Sequence, residues 1–108
     1  MTKTYFPTEN KFQEYCNGVL TKLNVHFVHI PQGNKHVRKG ILDLLCWYKG
    51  RSFIVELKQQ YKKLKPEQAI EWKRYEEQNI PVYLCYAKEE FIEVLKREMV
   101  INARHDRN

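Results

Sequence analysis

A chain of 108 residues with 43% apolar and 30% charged side chains has the balance of one globular domain, long enough to bury roughly two-thirds of its unfolded surface. Its net charge of +6 favours polyanionic partners. No apolar run approaches the roughly 20 residues of a membrane span, and the opening Met1-Thr2-Lys3-Thr4-Tyr5-Phe6-Pro7 lacks the apolar stretch of a secretory leader. Cys16, Cys46 and Cys85 stand far apart in apolar surroundings without a CxxC pair, which suggests reduced, buried thiols in a cytoplasmic protein rather than a disulfide framework or structural zinc.

In chain order, Thr8 to about Leu23 reads as a helix, with Phe12, Tyr15, Cys16, Val19, Leu20 and Leu23 on one stripe and Thr8 as its cap. Val25 to Ile30 reads as a strand ended by Pro31. The basic, Gly- and Asn-containing stretch to Gly40 reads as a loop. About Ile41 to Lys58 is a hairpin turning at Lys49-Gly50. After a lysine-rich connection, Pro66 opens a helix to about Gln78. Ile80 to Ala87 is apolar without alternation, which predicts a strand buried on both faces. Lys88 to about Val100 completes the set as a helix with Phe91, Ile92, Leu95 and Met99 inward, and a polar tail over 102–108 is expected to be flexible. The order αβββαβα describes a single α/β domain with its core over about 8–100, a mixed sheet flanked by helices.

The hairpin carries the chemistry. Asp43 interrupts the apolar run Ile41-Leu42-Asp43-Leu44-Leu45, where a bare charge is costly to bury. Glu56 and Lys58 lie two apart on the second strand and so share a face, with Leu57 turned the other way. Pairing through Lys49-Gly50 brings Asp43 opposite Glu56. Two converging carboxylates beside an ammonium suit a divalent cation and a water aimed at phosphate. Lys35, His36, Arg38 and Lys39 precede Asp43, and Lys62, Lys63 and Lys65 follow Lys58, so basic clusters flank the acids on both sides, as gripping a phosphate backbone requires. Tyr61, among these lysines, is the preferred aromatic candidate for a DNA contact. His26 and His29, three apart on a strand, fall on opposite faces and are not a metal pair. Trp47, Tyr48, Trp72, Tyr75, Tyr83 and Tyr86 are expected in the core or an interface.

Four pieces in order resemble the PD-(D/E)XK nuclease superfamily, and within it the small stand-alone VRR-NUC domains. They are Glu9 before Phe12-Gln13, Lys39-Gly40-Ile41-Leu42-Asp43, Glu56-Leu57-Lys58, and Leu64-Lys65-Pro66-Glu67-Gln68. The proline usual before the aspartate is Leu42 here. The resemblance implies a restriction-endonuclease-like core and an endonuclease using Mg²⁺ or Mn²⁺, held by Asp43, Glu56 and the backbone carbonyl of Leu57. Lys58 would orient the attacking water, Gln68 would position the lysine or the phosphate, and Glu9 would join them. It further implies a homodimer acting on branched DNA such as Holliday junctions, with neither a membrane nor a small-molecule cofactor involved. The competing expectations are a non-catalytic nucleic-acid-binding module and a nicking, restriction-type or RNA-cleaving relative.

Overall fold

The computed structural model describes residues 2–31 and 39–106, with 101–106 as backbone only. Helix α1 (Glu9–Lys22) starts where the Thr8 hydroxyl accepts the Lys11 N–H at 3.1 Å. Its Phe12, Cys16 and Leu20 are buried, with Tyr15 and Val19 packed beside them. Leu23, expected on that stripe, is instead the exposed C-cap, because the helix ends one residue earlier.

Strands β1 (His26–His29), β2 (Leu44–Tyr48) and β3 (Arg51–Leu57) form an antiparallel meander in the order β1-β2-β3. Lys49 and Gly50 both have positive φ, 49° and 84°, as a two-residue I′ hairpin turn requires. Helix α2 (Pro66–Glu77) then crosses over, and β4 (Val82–Cys85) adds parallel to β3 at the sheet edge. Helix α3 (Lys88–Asp106) closes the chain, running in helical backbone six residues past the expected Val100.

Alternation sorts the two faces of the sheet. Leu44, Cys46, Phe53, Val55, Leu57 and Cys85 join Phe12, Cys16 and Leu20 of α1 and Phe91, Val94 and Leu95 of α3 in one core. The opposite face carries Leu45, Trp47, Ile54 and Glu56, and α2 packs on its β3–β4 half, where Gln68 reaches Glu56. Double-sided burial, expected for β4, belongs to β3 instead: Phe53 to Lys58 are buried without a break, whereas Val82, Tyr83 and Leu84 are half-buried. Position in the sheet decides this, since β3 is central and β4 lies at an edge. Of the expected core aromatics, Tyr48 and Tyr83 pack on the core and Trp47 is exposed, its ring 5.3 Å from that of His26.

All three thiols are free and buried. Burial pushes the pKa of Cys46 and of Cys85 up to about 12 and raises that of Cys16 as well. Glu98 is a buried acid on the inner face of α3, satisfied by the Arg51 Nε–H at 2.6 Å and the Tyr83 hydroxyl. It lies one helical turn from Leu95 and two from Phe91, so the periodicity that assigned those residues inward also assigns position 98. No described helix is long and apolar enough to cross a membrane.

Two substitutions probe this scaffold. Glu98→Ala leaves Arg51 and Tyr83 without their shared acceptor and is expected to lower unfolding stability in urea by about 3 kcal/mol. Gly40 has φ +91°, and a Cβ there would lie 2.3 Å from the backbone oxygen of Glu67 in the first turn of α2. Gly40→Ala is therefore expected to cost about 2 kcal/mol in the same assay.

Candidate active site at the open end of the hairpin

The β2–β3 ladder is regular up to Leu44 opposite Val55, and one step further the side chains take over from the backbone. The Asp43 N–H donates to Glu56 Oε1 at 2.9 Å, and the Leu57 N–H donates to Asp43 Oδ2 at 2.9 Å. Each strand thus supplies one acid to cap the other strand's amide. Asp43 is 5% exposed, Glu56 1%, Lys58 6% and Gln68 3%. The Lys58 ammonium stands 3.4 Å from Glu56 Oε2, which also accepts the Gln68 side-chain amide at 2.9 Å. The Gln68 carbonyl oxygen accepts the Lys65 N–H at 2.9 Å, so one side chain both caps α2 and holds the acid.

Burial together with the neighbouring Asp43 charge pushes the Glu56 carboxyl up to about 7, against the lowering effects of the Asp43 amide and Lys58. This is the electrostatic state of a site short of positive charge. Among the described residues no group of three or more His, Cys, Asp or Glu side chains is placed to hold a metal ion. The donor set is two carboxylates at the end of a strand, and magnesium is commonly bound through one or two carboxylates with its remaining positions filled by water and substrate phosphate. Asp43 and Glu56 fit that demand.

Two clefts meet here. One, of about 440 Å³, is lined by Glu9, Glu56, Lys58, Lys62, Lys63, Lys65 and Gln68, together with Thr8, Asn10 and Gln59. The other, of about 300 Å³, is lined by Glu9, Asn10, Gln13, His29, Pro31, Asp43 and Leu57. Glu9, in the first turn of α1 and half-buried, is common to both. The expected site residues Asp43, Glu56, Lys58, Gln68 and Glu9 therefore converge. Of the expected basic residues, Lys62, Lys63 and Lys65 line the larger cleft and Lys39 is exposed, whereas Lys35, His36 and Arg38 lie outside the described residues. Tyr61 is exposed and is not part of either wall.

His26 and His29 do face opposite ways, opposite Trp47 and Leu44 respectively. Sequence reasoning set His29 aside, yet it shares a cleft with Asp43. The signal available is its place as the last residue of β1, which sets it across from Leu44 at the start of β2. A second buried acid, Glu71, lies one turn beyond Gln68 on α2, 3.5 Å from Arg74.

No family model matches the sequence, and no curated protein matches it. Among solved structures, the chain is similar to one described as "VRR_NUC domain", with a TM-score of 0.70 and 21% identity over 82% of this chain and 94% of that one. A four-stranded mixed sheet between helices, in the order αβββαβα, is the restriction-endonuclease-like class of α/β fold. Within that class, the fold of this protein is that of a VRR-NUC domain.

The raised Glu56 carboxyl sets a pH dependence. The folded protein keeps this proton up to about pH 7, whereas the unfolded chain releases it near the usual carboxylate value of 4.5. The stability contributed by this group is therefore present below about 4.5 and lost as pH rises toward 7. In EDTA the protein is expected to melt at lower temperature at pH 8 than at pH 5.5, and Glu56→Gln should remove that part of the slope. Added Mg²⁺ or Mn²⁺ should raise the wild-type melting temperature more at pH 8 than at pH 5.5.

Proposed function

We propose that this protein is a divalent-metal-dependent endonuclease that hydrolyses phosphodiester bonds in DNA, with branched DNA such as Holliday junctions as its preferred substrate, and that it acts as a cytoplasmic homodimer. The observation that carries the reading is the convergence of two buried carboxylates, a buried lysine and a glutamine where a lysine-lined cleft adjoins a second one that reaches Asp43. The VRR-NUC fold and the surplus of positive charge support it.

In this reading Asp43 and Glu56, with the Leu57 carbonyl, would hold Mg²⁺ or Mn²⁺. The bound ion would supply a water of lowered pKa and positive charge beside the phosphorus. Lys58, anchored to Glu56, directs its remaining N–H donors to the water and to a non-bridging phosphate oxygen, where negative charge grows in the transition state. Gln68 fixes the Glu56 carboxylate through its amide and thereby fixes Lys58 as well. Glu9, common to both clefts, adds a third carboxylate to their lining. Lys62, Lys63 and Lys65 hold phosphates on one side of the cut, and the segment carrying Lys35, His36, Arg38 and Lys39 supplies the other side. A two-fold dimer offers two such sites, as symmetric cutting of a four-way junction requires.

The test is cleavage of labelled four-way junction, nicked duplex and plain duplex in Mg²⁺ or Mn²⁺, with EDTA and Glu56→Ala as controls. Metal-dependent cutting of the junction is expected, with Glu56→Ala inactive and Lys58→Met reduced on the order of 100-fold or more. Equal cutting of all three substrates would remove the junction preference. Binding without cutting would leave a non-catalytic nucleic-acid-binding module.

A further inference from the structure

Four non-glycine residues among those described have left-handed backbone: Asn24 at φ 57°, Lys49 at 49°, Tyr61 at 71° and Asn79 at 59°. Three have a local reason. Asn24 and Asn79 directly follow the helix C-caps Leu23 and Gln78, and asparagine tolerates that conformation better than most residues. Lys49 shares the tight hairpin turn with Gly50. Tyr61 has no such reason, since glycine or asparagine would make the same bend with less strain.

The fold recovers nothing from the ring by burying it. Tyr61 is 89% exposed, the most exposed of the large hydrophobic side chains described. The loop beneath it is braced. The Lys62 N–H donates to the Gln59 carbonyl at 3.1 Å, the Tyr86 hydroxyl donates to the Lys62 carbonyl at 2.8 Å, and the Gln59 side-chain amide donates to the Pro7 carbonyl at 3.0 Å. A strained, exposed aromatic on a braced loop, next in sequence to two lysines that line the cleft of Glu56 and Lys58, is placed for a partner outside the molecule.

We propose that Tyr61 is a stacking platform for a nucleobase left with an open face beside the cut and that this contact selects branched DNA over continuous duplex. The inference rests on the nucleic-acid reading above and deepens it. Lysines recognise phosphate whatever the strand geometry, so the cleft by itself grips paired and unpaired DNA alike. A base inside a duplex is already stacked on both faces and gains nothing from an added ring. A base at a branch point has a face to offer, and because all four bases are flat the selection needs no sequence readout.

Binding in EDTA separates this contact from catalysis. The probes are a plain duplex and a four-way junction with 2-aminopurine at the branch, tested against wild type, Tyr61→Ala, Tyr61→Phe and Tyr61→Asn. Wild type and Tyr61→Phe should quench the branch-point fluorescence and favour the junction. Tyr61→Ala should abolish the quenching and cut the ratio of junction to duplex affinity about tenfold. Tyr61→Asn should melt no lower than wild type, because it relieves strain and exposes no core. An unchanged affinity ratio in Tyr61→Ala, retained quenching, or a lowered melting temperature in Tyr61→Asn would overturn the proposal. Wild type that binds and quenches but never cuts in Mg²⁺ or Mn²⁺ would remove the nuclease reading and leave the platform standing. Wild type that binds neither DNA would remove both.

Discussion

The working end of this protein depends on two hydrogen bonds that replace a rung of the sheet. Where an unbroken antiparallel ladder would oppose amide to carbonyl, the Asp43 and Leu57 amides instead meet carboxylates from the opposite strand. Two acids are thereby fixed by main chain, with less rotamer freedom than long side chains on loops would keep. The arrangement opposes itself electrostatically: the amides draw the carboxylates in, and the carboxylates repel each other. Burial and that repulsion together outweigh the Asp43 amide and Lys58, and the balance appears in the high proton affinity of Glu56.

Helix α2 carries this local strain into the rest of the fold. Gln68 bonds at one end to Glu56 and at the other to the amide of Lys65, the N-cap of its helix, so the acid and the helix start move together. Gly40 brings the chain ahead of Asp43 against the same helical turn at Glu67. Lys39, beside Gly40, and Lys65, at the cap of α2, are therefore tied to one support. The lysine loop is fastened separately, by Tyr86 and by Gln59 reaching back to Pro7.

Much of this was legible from the residues. The period of two and the Lys-Gly turn define the hairpin, and counting outward from the turn places Asp43 across from Glu56. The distance-independent parts, residue type and register, are those a strand encodes in its own sequence. What stayed hidden depends on neighbours. Ile80 to Ala87 looks like a central strand, but whether a strand is central is decided by which others pair with it, and here β3 is flanked on both sides. Glu98 and Glu71 are acids by type, yet their helical phase points inward, and Arg51 and Tyr83 arriving from the sheet help make such a place tenable for Glu98. The spacing of His29 to His26 says nothing of a site; its register opposite Leu44 is what brings it to the cleft of Asp43. The strain at Tyr61 has no signature in the sequence at all, since the left-handed turn is set by the hydrogen bonds around it.

The three thiols carry a practical meaning. Each is sealed in the core, and burial holds each in its protonated form at neutral pH. Nucleophilic attack by sulfur needs the thiolate, so electrophiles and oxidants in solution find no target while the domain is closed. Cys16 lies on α1, Cys46 on β2 and Cys85 on β4, three elements that share one core. Alkylation of these thiols therefore measures how often that core opens, a reporter of global unfolding already built into the natural sequence.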